Sequence, residues 1–173
     1  MQAEKITSIK KELNTLSSQQ LVEICLRLAK YKKENKELLT YLLYDDDDPL
    51  GYAEKVKTSL QDDFKNLQKQ SYQAAKSLRK ILRTLNRHAK YTSSKQVEIE
   101  LLVWFCSSFL EYADANSSYK PIKTLLFRQL EKIARMIRKL HEDLQFDYEQ
   151  ELNKILILAK ERVKGFNIDD FDL

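Results

Sequence analysis

Glycine and proline are nearly missing from this chain: Gly51, Gly165, Pro49 and Pro121 are the only ones in 173 residues. Domains built from sheets need many turns, in which glycine supplies positive φ angles and proline a preset φ angle. An all-β or α/β domain of this length is therefore excluded. The predicted fold class is all-α.

Cysteine and histidine are equally scarce, with two of each. Neither His88 nor His141 has a second His or a Cys three or four residues away, which disfavours a zinc site. Cys25 and Cys106 lie among apolar residues of predicted helices and are expected to be buried, reduced thiols. The acidic run Asp45–Asp48 lacks the ligand spacing of a calcium loop. We therefore predict no metal, no cofactor and no enzyme activity.

Long hydrophobic runs are also lacking. No run approaches the ~18 apolar residues that a membrane-spanning helix needs, and residues 1–11 are charged where a signal peptide has an apolar core. Hydrophobic residues make up 43% of the chain and charged residues 32%, which excludes global disorder. The expectation is a cytoplasmic protein without a membrane partner.

Hydrophobic periodicity and capping residues predict seven or eight helices. They cover about residues 3–13, 18–44 (two short helices or one bent helix), 51–70, 71–91, 94–115, 121–143 and 147–164. Short connections favour antiparallel neighbours in chain order. Helices of about 12 to 22 residues are typical both of HEAT- or armadillo-like stacks and of irregular bundles, and both arrangements stay open.

The most buried helix should be the one over residues 94–115, because its apolar residues cover most of its circumference. Trp104 and Phe105 belong to this set and are expected to be largely buried. Residues 1–165 are predicted to form one domain, since the chain has the usual length of a single domain. Residues 166–173 mix acidic and apolar side chains and are predicted to form a mobile tail; the alternative is that they fold against a basic apolar groove.

Positive charge is concentrated in one segment: residues 64–97 contain nine lysines and arginines and no acid, in a chain of net charge +4. At about 100° per residue, six of these cations fall within an arc of about 100° on the predicted helix 71–91. They are Lys76, Arg79, Lys80, Arg83, Arg87 and Lys90. Apolar residues fill the opposite side, so the cations should face water or an anionic partner.

A second basic helix is predicted within residues 120–139, which hold seven cations and one acid. Arg128, Arg135 and Arg138 lie opposite its apolar stripe. An acidic and apolar segment separates the two basic helices along the chain. Whether their cations adjoin in space depends on the packing of the helices.

The basic stripes have two interpretations. They bind the phosphate backbone of a nucleic acid, with Tyr72 and Tyr91 near the same face to stack on bases, or they are paired with carboxylates and solvated, as charged helix faces usually are. The small net charge and the lack of a zinc-finger, RNP-like or G-x-x-G motif favour the second. The predicted function is a non-catalytic helical binding or scaffolding module with a protein partner; the alternative is nucleic-acid binding through the basic helix face.

Three segments together resemble a family of uncharacterised all-helical bacterial proteins. They are Lys36-Glu-Leu-Leu-Thr-Tyr-Leu-Leu-Tyr44, Ser77-Leu-Arg-Lys-Ile-Leu-Arg83 and His141-Glu-Asp-Leu-Gln-Phe-Asp-Tyr-Glu149. The resemblance covers about residues 15–152. It implies a cytoplasmic helical protein and supplies no catalytic or binding residues.

Overall fold

The structure, a computed structural model, describes residues 2–171 and confirms the all-α prediction, because this range holds eight α-helices, a short 3-10 helix and no strand. The helices are α1 (Ile6–Leu13), α2 (Ser18–Tyr31), α3 (Lys33–Tyr44), α4 (Pro49–Lys65), α5 (Ser71–Thr92), α6 (Lys95–Tyr112), α7 (Lys120–Ile137) and α8 (Glu142–Arg162), and the 3-10 helix is Ile168–Asp170. Residues 18–44 form two helices, with a break at Lys32. No described helix is both long and apolar enough to cross a lipid bilayer.

Residue contacts divide the chain into two compact units, Met1–Asp47 and Asp48–Leu173, where the sequence predicted one domain over residues 1–165. The second unit begins with a helix cap: the Asp48 carboxylate accepts a hydrogen bond from the Gly51 backbone N–H at 2.9 Å. Pro49 occupies the first turn, where its missing N–H costs no hydrogen bond. The last residue of the acidic run therefore serves to start α4.

The second unit is an irregular bundle with α6 at its centre. Helix α6 packs against α4, α5, α7 and α8, and α5 also packs against α7. In a HEAT- or armadillo-like stack each repeat contacts only its neighbours along the chain. One helix in contact with four others is instead the arrangement of a bundle.

Most apolar side chains of α6 are buried, whereas Trp104 is partly accessible. Phe105 and Phe109 are fully buried, and Ser94 caps the helix by accepting a hydrogen bond from the Val97 backbone N–H at 3.3 Å. Trp104 is mostly buried and packs edge-on against Phe64, with ring centroids 5.3 Å apart. Phe105 is therefore buried as expected, and Trp104 packs against the core but keeps some contact with water, because its part of α6 faces the rim of the bundle.

Several helix boundaries differ from the sequence prediction, and α4 ends at Lys65 rather than near residue 70. Helix α7 ends at Ile137, and α8 begins at Glu142 rather than near residue 147. The His141 ring caps α8 by accepting a hydrogen bond from the Asp143 backbone N–H at 3.5 Å. The acids in the first turn of α8 also interact favourably with the positive end of its dipole.

The described part of the predicted mobile tail packs onto the second unit. Phe166 and Phe171 are buried, and their rings lie 5.0 and 5.9 Å from the ring of Phe127 on α7. Gly165, with a φ angle of +66°, lets the chain turn back after α8. Residues 172–173 of the predicted tail lie outside the described residues.

A polar network joins α4, α6 and α8 through Glu100. Its carboxylate accepts hydrogen bonds from Lys57 Nζ at 3.2 Å and from the Tyr148 hydroxyl at 2.7 Å. Burial opposes the charge on Lys57, but hydrogen bonds and attraction from Glu54 and Glu100 raise its pKa overall. Burial and the hydrogen bond to Glu100 raise the pKa of Tyr148. The interaction with Glu100 therefore favours the protonated forms of Lys57 and Tyr148.

Phe105→Ala should destabilise the protein by about 3–5 kcal/mol, the usual cost of removing a large aromatic side chain from a core. Trp104→Ala should cost less, although tryptophan is larger, because part of that side chain already contacts water. Urea denaturation followed by far-UV circular dichroism measures both. A greater loss of stability for Trp104→Ala would contradict the placement of the core.

Glu100→Gln should lower the free energy of unfolding by about 1–3 kcal/mol near pH 7, because hydrogen bonds to a charged acceptor are removed or weakened.

In the wild type, stability should also fall as the pH rises above about 10. There the unfolded chain releases the protons of Lys57 and Tyr148 while the folded chain keeps them. Glu100→Gln should flatten that fall. Urea titrations at about pH 8 and about pH 11, on either side of the unfolded pKa values, test this. If the free energy of unfolding falls equally between the two pH values in both proteins, the Glu100 network is not the cause of the fall.

Candidate functional site

Five cations of the predicted α5 stripe lie on the outer face of the helix. They are Lys76, Arg79, Lys80, Arg83 and Lys90, and all are exposed. On the opposite face Leu78 and Leu85 are completely buried in the bundle. The structure therefore has the predicted arrangement of α5, with cations on one face and apolar residues on the other.

These five side chains are solvated rather than neutralised. Within residues 2–171, none of them forms an ion pair. Helix α5 itself contains no Asp or Glu that could pair with them. The second interpretation of the basic stripes left open whether the cations are paired with carboxylates or solvated; for these five cations, the described residues show solvation.

Helix α7 lies beside α5 and runs parallel to it. The hydroxyls of Ser71 and Ser117 are hydrogen-bonded at 2.6 Å near the starts of the two helices. Further along, Lys132 Nζ donates to Asn86 Oδ1 at 3.2 Å. Both pairs are 46 residues apart in sequence. The two helices therefore keep one register along their common length.

Lys132 also forms an ion pair with Glu98 at the start of α6, at 2.5 Å. Its ammonium group thus joins α5, α6 and α7 and is neutralised within the protein. Arg128 lies one turn before Lys132 and Arg135 nearly one turn after it, and both are exposed. The outward cations of α7 therefore stand next to those of α5.

The two rows form one surface, which we call the α5–α7 basic surface. It consists of Lys76, Arg79, Lys80, Arg83 and Lys90 on α5 and Arg128 and Arg135 on α7. The side chains come from segments about 40 to 60 residues apart in sequence. Only the parallel packing of α5 and α7 brings them together.

Two cations of the prediction are placed differently. Arg87 is half-buried and less accessible than its neighbours on α5. Arg138 follows the last turn of α7 and lines a cavity of about 290 Å³ together with Arg135, Asp170 and Phe171. Arg138 thus lies beside the acidic end of the described chain, at the edge of the basic surface.

The two predicted tyrosines lie on opposite flanks of α5. Tyr72 is 56% exposed, and its ring packs edge-on against Tyr119 at 6.1 Å, on the flank toward α7. Tyr91 is half-buried and packs against His88, which is hydrogen-bonded to the Tyr52 hydroxyl of α4 at 2.6 Å. Only Tyr72 therefore adjoins the basic surface with an accessible ring. No sequence pattern pointed to Tyr119, because its neighbour lies 47 positions earlier.

The remaining reactive side chains are separated from one another. Cys106 is buried, and burial raises the pKa of its thiol, whereas Cys25 is exposed, contrary to the expectation of two buried thiols. Cys25 was misplaced because the apolar residues around it do not form a closed core. Within residues 2–171, no group of three His, Cys, Asp or Glu is arranged to hold a metal ion.

Comparison with known proteins gives no relative: the chain matches no protein-family model, no curated protein and no solved structure. The resemblance to a family of all-helical bacterial proteins stays a prediction.

Proposed function

We propose that this chain is a non-catalytic helical binding or scaffolding module, and that its α5–α7 basic surface binds the phosphate backbone of a nucleic acid. One observation carries the proposal: two rows of exposed cations stand side by side, and those on α5 form no ion pair within the described residues. Solvated cations are free to replace the counterions of a polyanion, and release of those counterions drives binding.

The dimensions of the surface support a nucleic-acid ligand. Lys76 and Lys90 are about 21 Å apart along α5, at 1.5 Å per residue. A duplex strand presents one phosphate for each 3.4 Å of its axis, so about six phosphates span this length. Packed helices lie about 8–10 Å apart, and α7 therefore adds a second row of cations beside the first.

The exposed ring of Tyr72 lies at the start of this surface and offers a stacking position for an unpaired base. An acidic protein would satisfy the same cations, and it is the competing ligand in the experiment below. The proposal includes a cytoplasmic location, which suits two free thiols because the cytoplasm keeps cysteines reduced.

Replacement of Arg79, Arg83 and Arg128 together by glutamine should weaken binding to a labelled 20-nucleotide strand or duplex. The slope of log affinity against log salt should flatten by about two to three units, close to one for each cation that no longer binds a phosphate. Fluorescence anisotropy between about 50 and 300 mM salt, the range in which phosphate binding weakens steeply, measures this. Glutamine is a good helix former, so helix content should be unchanged.

The matched control replaces Lys10, Lys154 and Lys160 by glutamine. These lysines are exposed outside the basic surface, and the change in net charge is the same. The control should retain the wild-type slope. The proposal fails if the wild type does not bind at about 50 mM salt, where phosphate binding is strong, or if both triple variants lose affinity equally; binding to an acidic protein alone would reassign the surface.

A further inference from the structure

The α2–α3 hairpin exposes a large apolar surface. Lys32 alone separates the two helices, and Asn35 Nδ2 closes the turn by donating to the Leu28 carbonyl oxygen at 2.9 Å. The Ser17 side chain and the Gln20 side chain form a reciprocal capping box at the start of α2. The hairpin is thus well formed locally, and its exposed surface is a property of a defined structure.

Apolar residues occupy more than half of the circumference of each helix. At about 100° per residue, they span about 220° on α2 and about 260° on α3, or about 200° on α3 if Tyr44 is left out. A helix that packs on one neighbour needs an apolar stripe only a little over 100° wide. The excess shows in the burial: α2 has no buried residue, and α3 has only Tyr41.

Eight large apolar side chains of the hairpin are exposed, by 37% to 76%. They are Val22, Ile24, Leu26, Leu28, Tyr31, Leu42, Leu43 and Tyr44. If a fully exposed aliphatic side chain presents about 100 Å² and a tyrosine about 200 Å², these fractions amount to about 600 Å² of apolar surface. Burial of this area on two molecules would remove about 1,200 Å² from water, the lower limit of a specific interface.

We propose that the α2–α3 hairpin binds the same hairpin of a second copy of this chain, so that two hairpins form a four-helix bundle. In such a bundle every helix has two neighbours, which matches apolar arcs about twice as wide as one neighbour requires. A two-fold axis uses one surface twice, so no separate complementary surface is needed. Residues 18–44 carry five cations and three acids, a balance that opposes self-association only weakly.

The seam between the two helices is the part of this surface that receives side chains. An open apolar cavity of about 320 Å³ lies there, lined by Cys25, Leu28, Ala29, Asn35, Leu38, Leu39 and Leu42. The side-chain amide of Asn35 already donates to a backbone carbonyl. The lining therefore suits apolar side chains, and the second copy carries exposed leucines of the required kind on its own hairpin.

Sedimentation equilibrium of the full chain between about 1 and 100 µM tests the proposal, because a small interface of this kind gives micromolar affinity. The wild type should dimerise. Leu28→Gln with Leu42→Gln should raise the dimer Kd at least about tenfold, because two side chains at the seam become polar. The control is Phe146→Gln with Ile157→Gln on α8. These residues are exposed by 63% and 55%, close to the 56% and 51% of the two leucines, and the control should dimerise like the wild type.

Cross-linking gives a second readout on the unaltered chain. Cys25 is exposed in the seam and Cys106 is buried, so a flexible bismaleimide should join two copies through Cys25, and Cys25→Ser should abolish the product. A wild type that is monomeric at the highest concentration would overturn the proposal, as would equal weakening of the dimer in the two double variants. This result is independent of nucleic-acid binding, which concerns the other unit.

Discussion

The apolar circumference of α6 is the constraint on which the second unit depends. Nine of its residues are buried, and at about 100° per residue they span about 220° around the helix axis. Such a helix can be satisfied only if other helices surround it. Helices α4, α5, α7 and α8 do so, and each of them consequently has one face toward α6 and one face toward water. The exposed position of the α5 cations follows from this division.

The same constraint brings the two basic helices together. Both α5 and α7 pack on α6, and they also pack on each other in parallel register. Glu98, an acid close to their junction, is paired with Lys132. The exposed cations of the basic surface lie on the outer faces of the two helices, and Lys76, Arg79, Lys80, Arg83 and Lys90 form no ion pair within the described residues. A row of charge on one helix thereby becomes a two-row surface.

The first unit has no helix equivalent to α6 among its described residues. Helices α2 and α3 each carry an apolar arc wide enough for two neighbours, but each has the other as its main contact in the hairpin. Leu28 and Leu42 of this unit therefore stay exposed, whereas Leu78 and Leu85 of α5 are buried. An apolar pattern specifies a helix and its inward face, but it does not specify that a partner for that face exists within the chain.

The sequence by itself determined the all-α class and the approximate extent of α5 and α6. It also determined that Leu78 lies on the face of α5 opposite Arg79 and Arg83. These features follow from scarce turn residues and helical periodicity, which are local properties. Tertiary packing decided where α8 begins, the burial of Phe166 and Phe171, and the partial exposure of Trp104. Packing also brought Arg128 and Arg135 next to the α5 cations and placed Tyr72 and Tyr91 on different flanks of α5. These features depend on which helices become neighbours, and that choice follows from the burial of all faces together, whereas periodicity reports on one helix at a time.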